Sequence, residues 1–259
     1  MVKRILKIAL WVITGAALVA LFVFGRKWYL ETPLKGIDFN LERADSHGFI
    51  VKDSVLSRTE AFCGFPNHAS IGAVNMAGIQ KMLADNPWVE HSSAYIGLND
   101  TLTIQAKEYE PVLRVFNQDR QSVYVTAEGI VLPSSPTYTP HLIIASGSFT
   151  FPIPYKHGID SDSIYANTGI TESLTIAKAI LKDEFLRDNI GQIYKDINNE
   201  YELSVNNLSA RVLLGDTTSI DKKLTRLRIL LERFGGTEEL VPYETLNLKY
   251  NNQIVCTKK

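Results

Sequence analysis

The chain has 259 residues, in which 27 Lys and Arg are balanced by 28 Asp and Glu. A net charge of -1 gives no general attraction to nucleic acid or to an acidic membrane surface. The length fits one large domain or two small ones, and the composition is that of an ordinary globular protein, so placement of residues must carry the information.

Ile8 to Phe24 is an unbroken run of apolar or small residues, extended backwards by Ile5 and Leu6 across Lys7. At about 1.5 Å per residue it reaches the length a helix needs to cross roughly 30 Å of hydrocarbon. Thr14 is its one polar residue, and a helical Thr can bond its own backbone. A cleaved signal peptide would end in small residues. This run ends Leu21-Phe22-Val23-Phe24 and then meets Arg26, Lys27 and Trp28, which suits a retained anchor. Lys3, Arg4 and Lys7, in a very short tail with a charged terminus, place the N-terminus inside and the body outside, against the opposing Arg26 and Lys27.

Gly36–Glu42 alternates with Ile37, Phe39 and Leu41 on one face, a strand pattern. Residues 51–62 have helical spacing through Val51, Val55, Leu56 and Phe62, and a Gly/Pro/Asn-rich connector follows. Residues 75–86 predict a second helix with Met76, Ile79 and Leu83 inward and Asn75 as its cap. Pro87 ends it. A hairpin comes next, with Ala94 and Ile96 on one strand, Leu102, Ile104 and Ala106 on the other, and Asn99-Asp100 between them. This order, β-α-α-β-β, gives one sheet whose apolar face two helices cover.

Beyond Pro111 short strands alternate with turns. Residues 134–170, with Pro136, Pro140, Pro152 and Pro154, read as an irregular surface stretch. Residues 171–188 predict a helix opened by Thr171 and Glu172, with Leu174, Ala177, Leu181 and Phe185 on one side. Residues 219–236 predict the clearest helix, through Ile220, Leu224, Leu227, Leu231 and Phe234, stopped by Gly235-Gly236. Meandering strands lie between them. The final strand, Tyr243 to Val255, sets Leu246, Leu248 and Tyr250 against Thr245, Asn247, Lys249 and Asn251. As the last strand it is expected at a sheet edge, where Lys249, Lys258 and Lys259 would protect it or an extended partner would add a strand.

Chemistry is hard to find. His47, His68, His91, His141 and His157 never fall at metal-ligand spacings. Cys63 and His68 lie in a turn-rich connector with no helix start to activate a thiolate. Asp160 and Asp162 suggest a calcium loop, but Tyr165 replaces the needed glycine and Thr171 the needed glutamate. Glu108 and Glu110 would share a strand face, with Arg114 as a partner for one of them. Cys63 and Cys256 are far apart in sequence, open to pairing in an oxidising compartment or to separate burial.

The N-terminal order resembles the polypeptide-transport-associated (POTRA) module. The stretch "NPWVEHSSAYIGLNDTLTIQAKEYEPVLRVF" is similar to the strand pair of the bacterial cell-division family FtsQ/DivIB, with Pro87-Trp88-Val89, Leu102, Ile104, Glu108, Pro111 and Arg114 in the family's places. "SVYVTAEGIVLP" and "YETLNLKYNNQIV" are similar to its later landmarks, in order, across essentially the whole chain. Two features depart: no glycine follows the first strand, and the cytoplasmic tail is only a few residues.

The resemblance implies an α+β protein. Residues 1–28 would be tail and transmembrane helix, 29–110 a juxtamembrane segment and POTRA-like domain, and 111–259 a mixed β-sheet domain with two flanking helices that ends in an edge strand. It implies a non-enzymatic scaffold that links division proteins at the septum outside the inner membrane, held in the bilayer by residues 5–24. Cofactor, nucleic acid and small-molecule substrate are not expected. Partners would be small single-pass coiled-coil division proteins of the FtsB/FtsL type, bound through Lys249, Tyr250, Asn252, Gln253 and Ile254. Two rivals are an outer-membrane assembly or transport factor bearing POTRA modules and an anchored extracytoplasmic enzyme. The first needs a C-terminal barrel and the second a convergent polar pocket.

Overall fold

The computed structural model describes residues 2–43, 46–66, 69–152, 159–160, 165–234 and 238–259, with 2–5, 159–160 and 238 described by backbone alone. His68, His157, Pro154, Asp162, Gly235 and Gly236 lie outside the described residues, as do the side chains of Lys3, Arg4 and Ile5. Contacts divide the chain into two units: residues 1–42, 50–85 and 89–108 form the first, and 43–49, 86–88 and 109–259 the second.

The first unit begins with the helix α1 (Val2–Glu31), exposed from Leu6 to Glu31, as a membrane-crossing segment would be outside a membrane. Strand β1 (Gly36–Glu42), helices α2 (Lys52–Cys63) and α3 (Met76–Ala84), and strands β2 (Val89–Ile96) and β3 (Thr101–Glu108) follow in the expected β-α-α-β-β order. The sheet runs β1-β3-β2, with β1 parallel and β2 antiparallel to the central strand. Phe39, Ala94, Leu102, Ile104 and Ala106 are buried on one face, and Ile79 and Leu83 of α3 are buried with them. Asn75 caps α3 by accepting from Gly78 N at 2.9 Å, and Asp100 takes the left-handed φ of 59° that the hairpin turn requires.

The inward face of α2 is only partly the expected one, keeping the half-buried Val55 and Leu56. Val51 and Phe62 are exposed, and Thr59 and Cys63 are buried instead. Thr59 tolerates burial because its hydroxyl donates to Val55 O at 2.8 Å, so apolar periodicity overlooks it.

Among its described residues the second unit holds a ten-stranded mixed sheet in the order β13-β12-β11-β10-β9-β7-β4-β5-β6-β8. Its members are β4 (Pro111–Phe116), β5 (Ser122–Thr126), β6 (Ile130–Pro133), β7 (Ile143–Gly147), β8 (Ile159–Asp160), β9 (Ile190–Lys195), β10 (Tyr201–Val205), β11 (Arg211–Gly215), β12 (Tyr243–Asn247) and β13 (Val255–Lys258). The chain from β7 passes through β8 and then helices α4 (Ile170–Leu181) and α5 (Glu184–Asn189) before β9, which is parallel to β7, and α6 (Ile220–Phe234) lies between β11 and the parallel β12. These crossovers lay α4 and α6 against the sheet, where Ile176, Ile180, Leu224, Leu227 and Leu231 join one continuous core.

Three expectations change here. Residues 134–170 hold β7, which pairs in parallel with both β4 and β9 and so joins the two halves of the sheet. Ile143, Ala145, Phe149 and Phe151 are buried around it, so the stretch is not confined to the surface. The helix expected over 171–188 is two helices, because Asp183 turns its side chain to Leu186 N at 3.1 Å and starts a new one. Arg114 does not pair with Glu110, one of its two expected partners. Its Nε and Nη2 donate to Ser122 Oγ at 3.2 and 3.1 Å.

Opposite the helices, Tyr124 and Leu132 are also fully buried. Phe49 and Trp88, both of the second unit, stack with centroids 3.4 Å apart, and each meets the Tyr124 ring edge-on at 5.2 and 5.5 Å.

The small sheet depends on its fully buried central strand. Ile104→Ala should destabilise the protein by about 2–5 kcal/mol, whereas Gln105→Ala on the exposed face should change stability by less than about 0.5 kcal/mol. Urea denaturation of the full chain in detergent measures both.

Candidate interaction site at the end of the large sheet

Tyr243 to Val255 is not one edge strand. The chain leaves β12 at Asn247, loops through residues 248–254 and returns as β13. β12 therefore lies between two strands: Val212 opposes Leu246 on one side, and Cys256 opposes it on the other. The left-handed backbone of Asn252 (φ 58°) helps reverse the chain. The margin of the sheet is β13, and Val255, Thr257 and Lys258 on it are exposed.

Leu246 and Leu248 are fully buried and root the loop in the core. Between them and β13, the loop's carbonyls converge on one side chain of α6. Arg226 Nη1 donates to Tyr250 O at 2.6 Å and to Gln253 O at 2.9 Å, and Nη2 donates to Leu248 O at 3.1 Å. The planar fork of a guanidinium suits three carbonyls better than an ammonium would. Asn247 Oδ1 accepts from Lys249 N at 3.0 Å, and Lys249 Nζ pairs with Glu200 at 3.0 Å. The Lys249 stem lies across Gly215, where an added Cβ would sit 2.8 Å from its Cγ and Cδ and where φ is +76°.

These contacts sort the five residues of the expected site. All fall in the one loop. Lys249 is engaged with Glu200, and Ile254 packs partly buried against the core. Tyr250, Asn252 and Gln253 present exposed side chains, with Tyr250 about half accessible. A shallow polar depression beside the loop is bordered by Asp216, Lys222, Lys223, Arg226, Lys249 and Asn252. Lys223 Nζ, itself buried, bonds Asp216 Oδ1 at 2.8 Å and holds that carboxyl below its ordinary range. That tie is complete above the ordinary carboxylate pKa and is lost as pH falls through the lowered one.

Arg226 and β13 were not anticipated. Arg226 reads as part of a solvated helix face, because nothing local shows which carbonyls a long side chain will meet. Val255 to Lys258 lies at and past the end of the strand expected over Tyr243 to Val255, and its short alternation reads equally as a continuation of that strand.

Within each unit the other candidate residues have separate surroundings. Glu108 is buried in the first unit and accepts from Ile50 N at 3.1 Å. Glu110 is exposed in the second unit, where it and His141 border a shallow depression with Arg187 and Asp188. His47 bonds Ser46, and His91 lies beside Glu90. Cys63 and Cys256 are free thiols, each pushed up in pKa by burial. Among the described residues no three His, Cys, Asp or Glu side chains form a metal-holding group.

Replacing Arg226 tests the role given to it. Arg226→Ala removes the three charge-assisted bonds to the loop, of about 1.5–3 kcal/mol each. Amide exchange in residues 248–258 should accelerate by roughly 10- to 100-fold, while exchange in β4, β7 and β9 stays as it was. Mass-spectrometric hydrogen exchange reads both regions.

No curated protein matches the chain. A family model described as "FtsQ/DivIB, C-terminal related" matches residues 110–257, more than half of the chain and nearly all of the second unit, including β12, the clamped loop and most of β13. The chain belongs to the FtsQ/DivIB family of cell-division proteins.

Proposed function

We propose that this protein is a membrane-anchored, non-catalytic organiser of the division machinery, fixed by α1 in the inner membrane with residues 29–259 outside the cytoplasm at the septum. The family match over residues 110–257 carries the reading, because the match takes in the loop and return strand just described. The length and apolarity of α1 support the anchor. The first unit, which resembles a POTRA module, would hold a second set of partners beside the bilayer.

The partners proposed for the terminal loop and β13 are small single-pass coiled-coil division proteins of the FtsB/FtsL type. Such a partner would meet Tyr250, Asn252 and Gln253 and could add an extended segment to the outer side of β13. Backbone bonds alone would not suffice. A four-residue margin offers a few bonds of about 1 kcal/mol net each, against roughly 4–15 kcal/mol for lost rigid-body freedom. A side-chain anchor is needed, and Tyr250 has the size, the half exposure and the fixed backbone for it.

The test combines Tyr250→Ala with a charge at Asn252. Because Asn252 is left-handed, Asn252→Asp is the variant that adds charge with least backbone strain. The double variant should lose copurification of the coiled-coil partners and give filamentous cells, with an unchanged thermal melt by circular dichroism. Undiminished copurification would reject the loop as the partner site.

A further inference from the structure

The register of the small sheet sets the level of one exposed apolar side chain. α1 ends at Glu31 and β1 begins at Gly36. β3 runs parallel to β1 with Thr101 opposite Gly36, so the turn before Thr101 stands level with the point where the chain leaves the helix. Two contacts hold it there: Lys35 N donates to Asp100 O at 2.9 Å, and Lys35 Nζ pairs with Asp100 Oδ2 at 2.8 Å. The same rim is tied to the helix end. Ile71 N donates to Thr32 O at 2.9 Å, and Gly72 approaches so closely that an added Cβ would sit 2.9 Å from Leu30 O.

The turn reads Gly97-Leu98-Asn99-Asp100. Three of its residues have local tasks. Gly97 N donates to Thr101 O at 3.0 Å, Asn99 Oδ1 accepts from Thr101 N at 3.3 Å, and Asp100 supplies the left-handed backbone. Leu98 is fully exposed and packs on nothing. A polar residue would serve the turn equally well, so the fold does not explain a leucine.

Its level does. From Phe24, the end of the apolar run, seven residues to Glu31 rise about 10 Å, against roughly 5–8 Å of headgroup per leaflet. Trp28 and Tyr29 fall within that layer, where amphipathic rings settle. A helix tilt of about 20° is ordinary, and it lowers one side of a rim that begins just past Glu31. On the reading that α1 spans the membrane, we propose that Leu98 inserts into the outer interface of the same bilayer. The 97–100 turn is then a second, peripheral lipid contact beside the anchor. Arg26 and Lys27 of α1 supply cations at the depth of the phosphates. A single leucine offers far too little area for a protein interface. Beside an anchor already in the membrane it needs none, because the anchor has already lost the rigid-body freedom. Two points of contact stop the first unit from swinging about residues 32–35.

The test places p-benzoylphenylalanine, a photoreactive amino acid, at position 98, 11 or 51 of the full chain. The protein is reconstituted in phosphatidylethanolamine–phosphatidylglycerol vesicles, and lipid adducts are counted by mass spectrometry after illumination. Trp11 reports on the anchor. Val51 is exposed and adjoins Ile50, which bonds Glu108 at the opposite end of β3, so it is the unit's membrane-distal control. Position 98 should yield about tenfold more adduct than position 51, the scale expected for a leucine held in the interface. Equal yields at 98 and 51 with Trp11 labelled would overturn the lipid contact and leave the anchor standing. An unlabelled Trp11 would overturn both.

Discussion

A single guanidinium closes the large sheet. Leu248, Tyr250 and Gln253 turn three carbonyls toward Arg226. No strand partner lies there to take them, and a loop whose carbonyls lack partners would not hold a fixed path. Three charge-assisted bonds of about 1.5–3 kcal/mol each match the cost of ordering several backbone residues at about 1–2 kcal/mol apiece. The consequence reaches past the loop. Because the path of residues 248–254 is set, β13 meets β12 in register, β12 is sealed, and the margin of the sheet becomes the outer side of β13. The half-exposed Tyr250 sits on a fixed backbone for the same reason.

The motif residues that carry the family resemblance mostly serve packing. Trp88 stacks on Phe49 and meets Tyr124 edge-on. Leu102 and Ile104 fill the core of the first unit, and Glu108 satisfies Ile50 N. Arg114 lies over the Tyr124 ring at 5.1 Å while bonding Ser122. A stretch with no evident chemistry is what such duties leave in a sequence.

Periodic, one-sided elements were legible: α1, α3, α6 and the β2–β3 hairpin each carry a pattern that a single face explains. Failures came where a local signal had a distant cause. β7 hid among prolines because five residues flanked by turns give little period, and only pairing with β4 and β9 makes them a central strand. The break between α4 and α5 rests on Asp183, which caps α5 and also bonds Arg228 Nη1 at 2.9 Å, a contact from α6 that no window of sequence contains. Val255 to Lys258 alternates as a continuation of β12 would, so a reversal at Asn252 was invisible without the Arg226 clamp. The five residues expected to bind a partner fall in one loop, because they adjoin in sequence.

The central claim is that the protein acts by presenting the terminal loop and β13 to a partner. Hydrogen exchange of the full chain in nanodiscs, alone and with the proposed coiled-coil partner, tests it most directly. The account requires new protection concentrated in residues 248–258, with little change in β4, β5 and β6. Protection confined to other parts of the chain, with the terminal ribbon exchanging as it does alone, would contradict it.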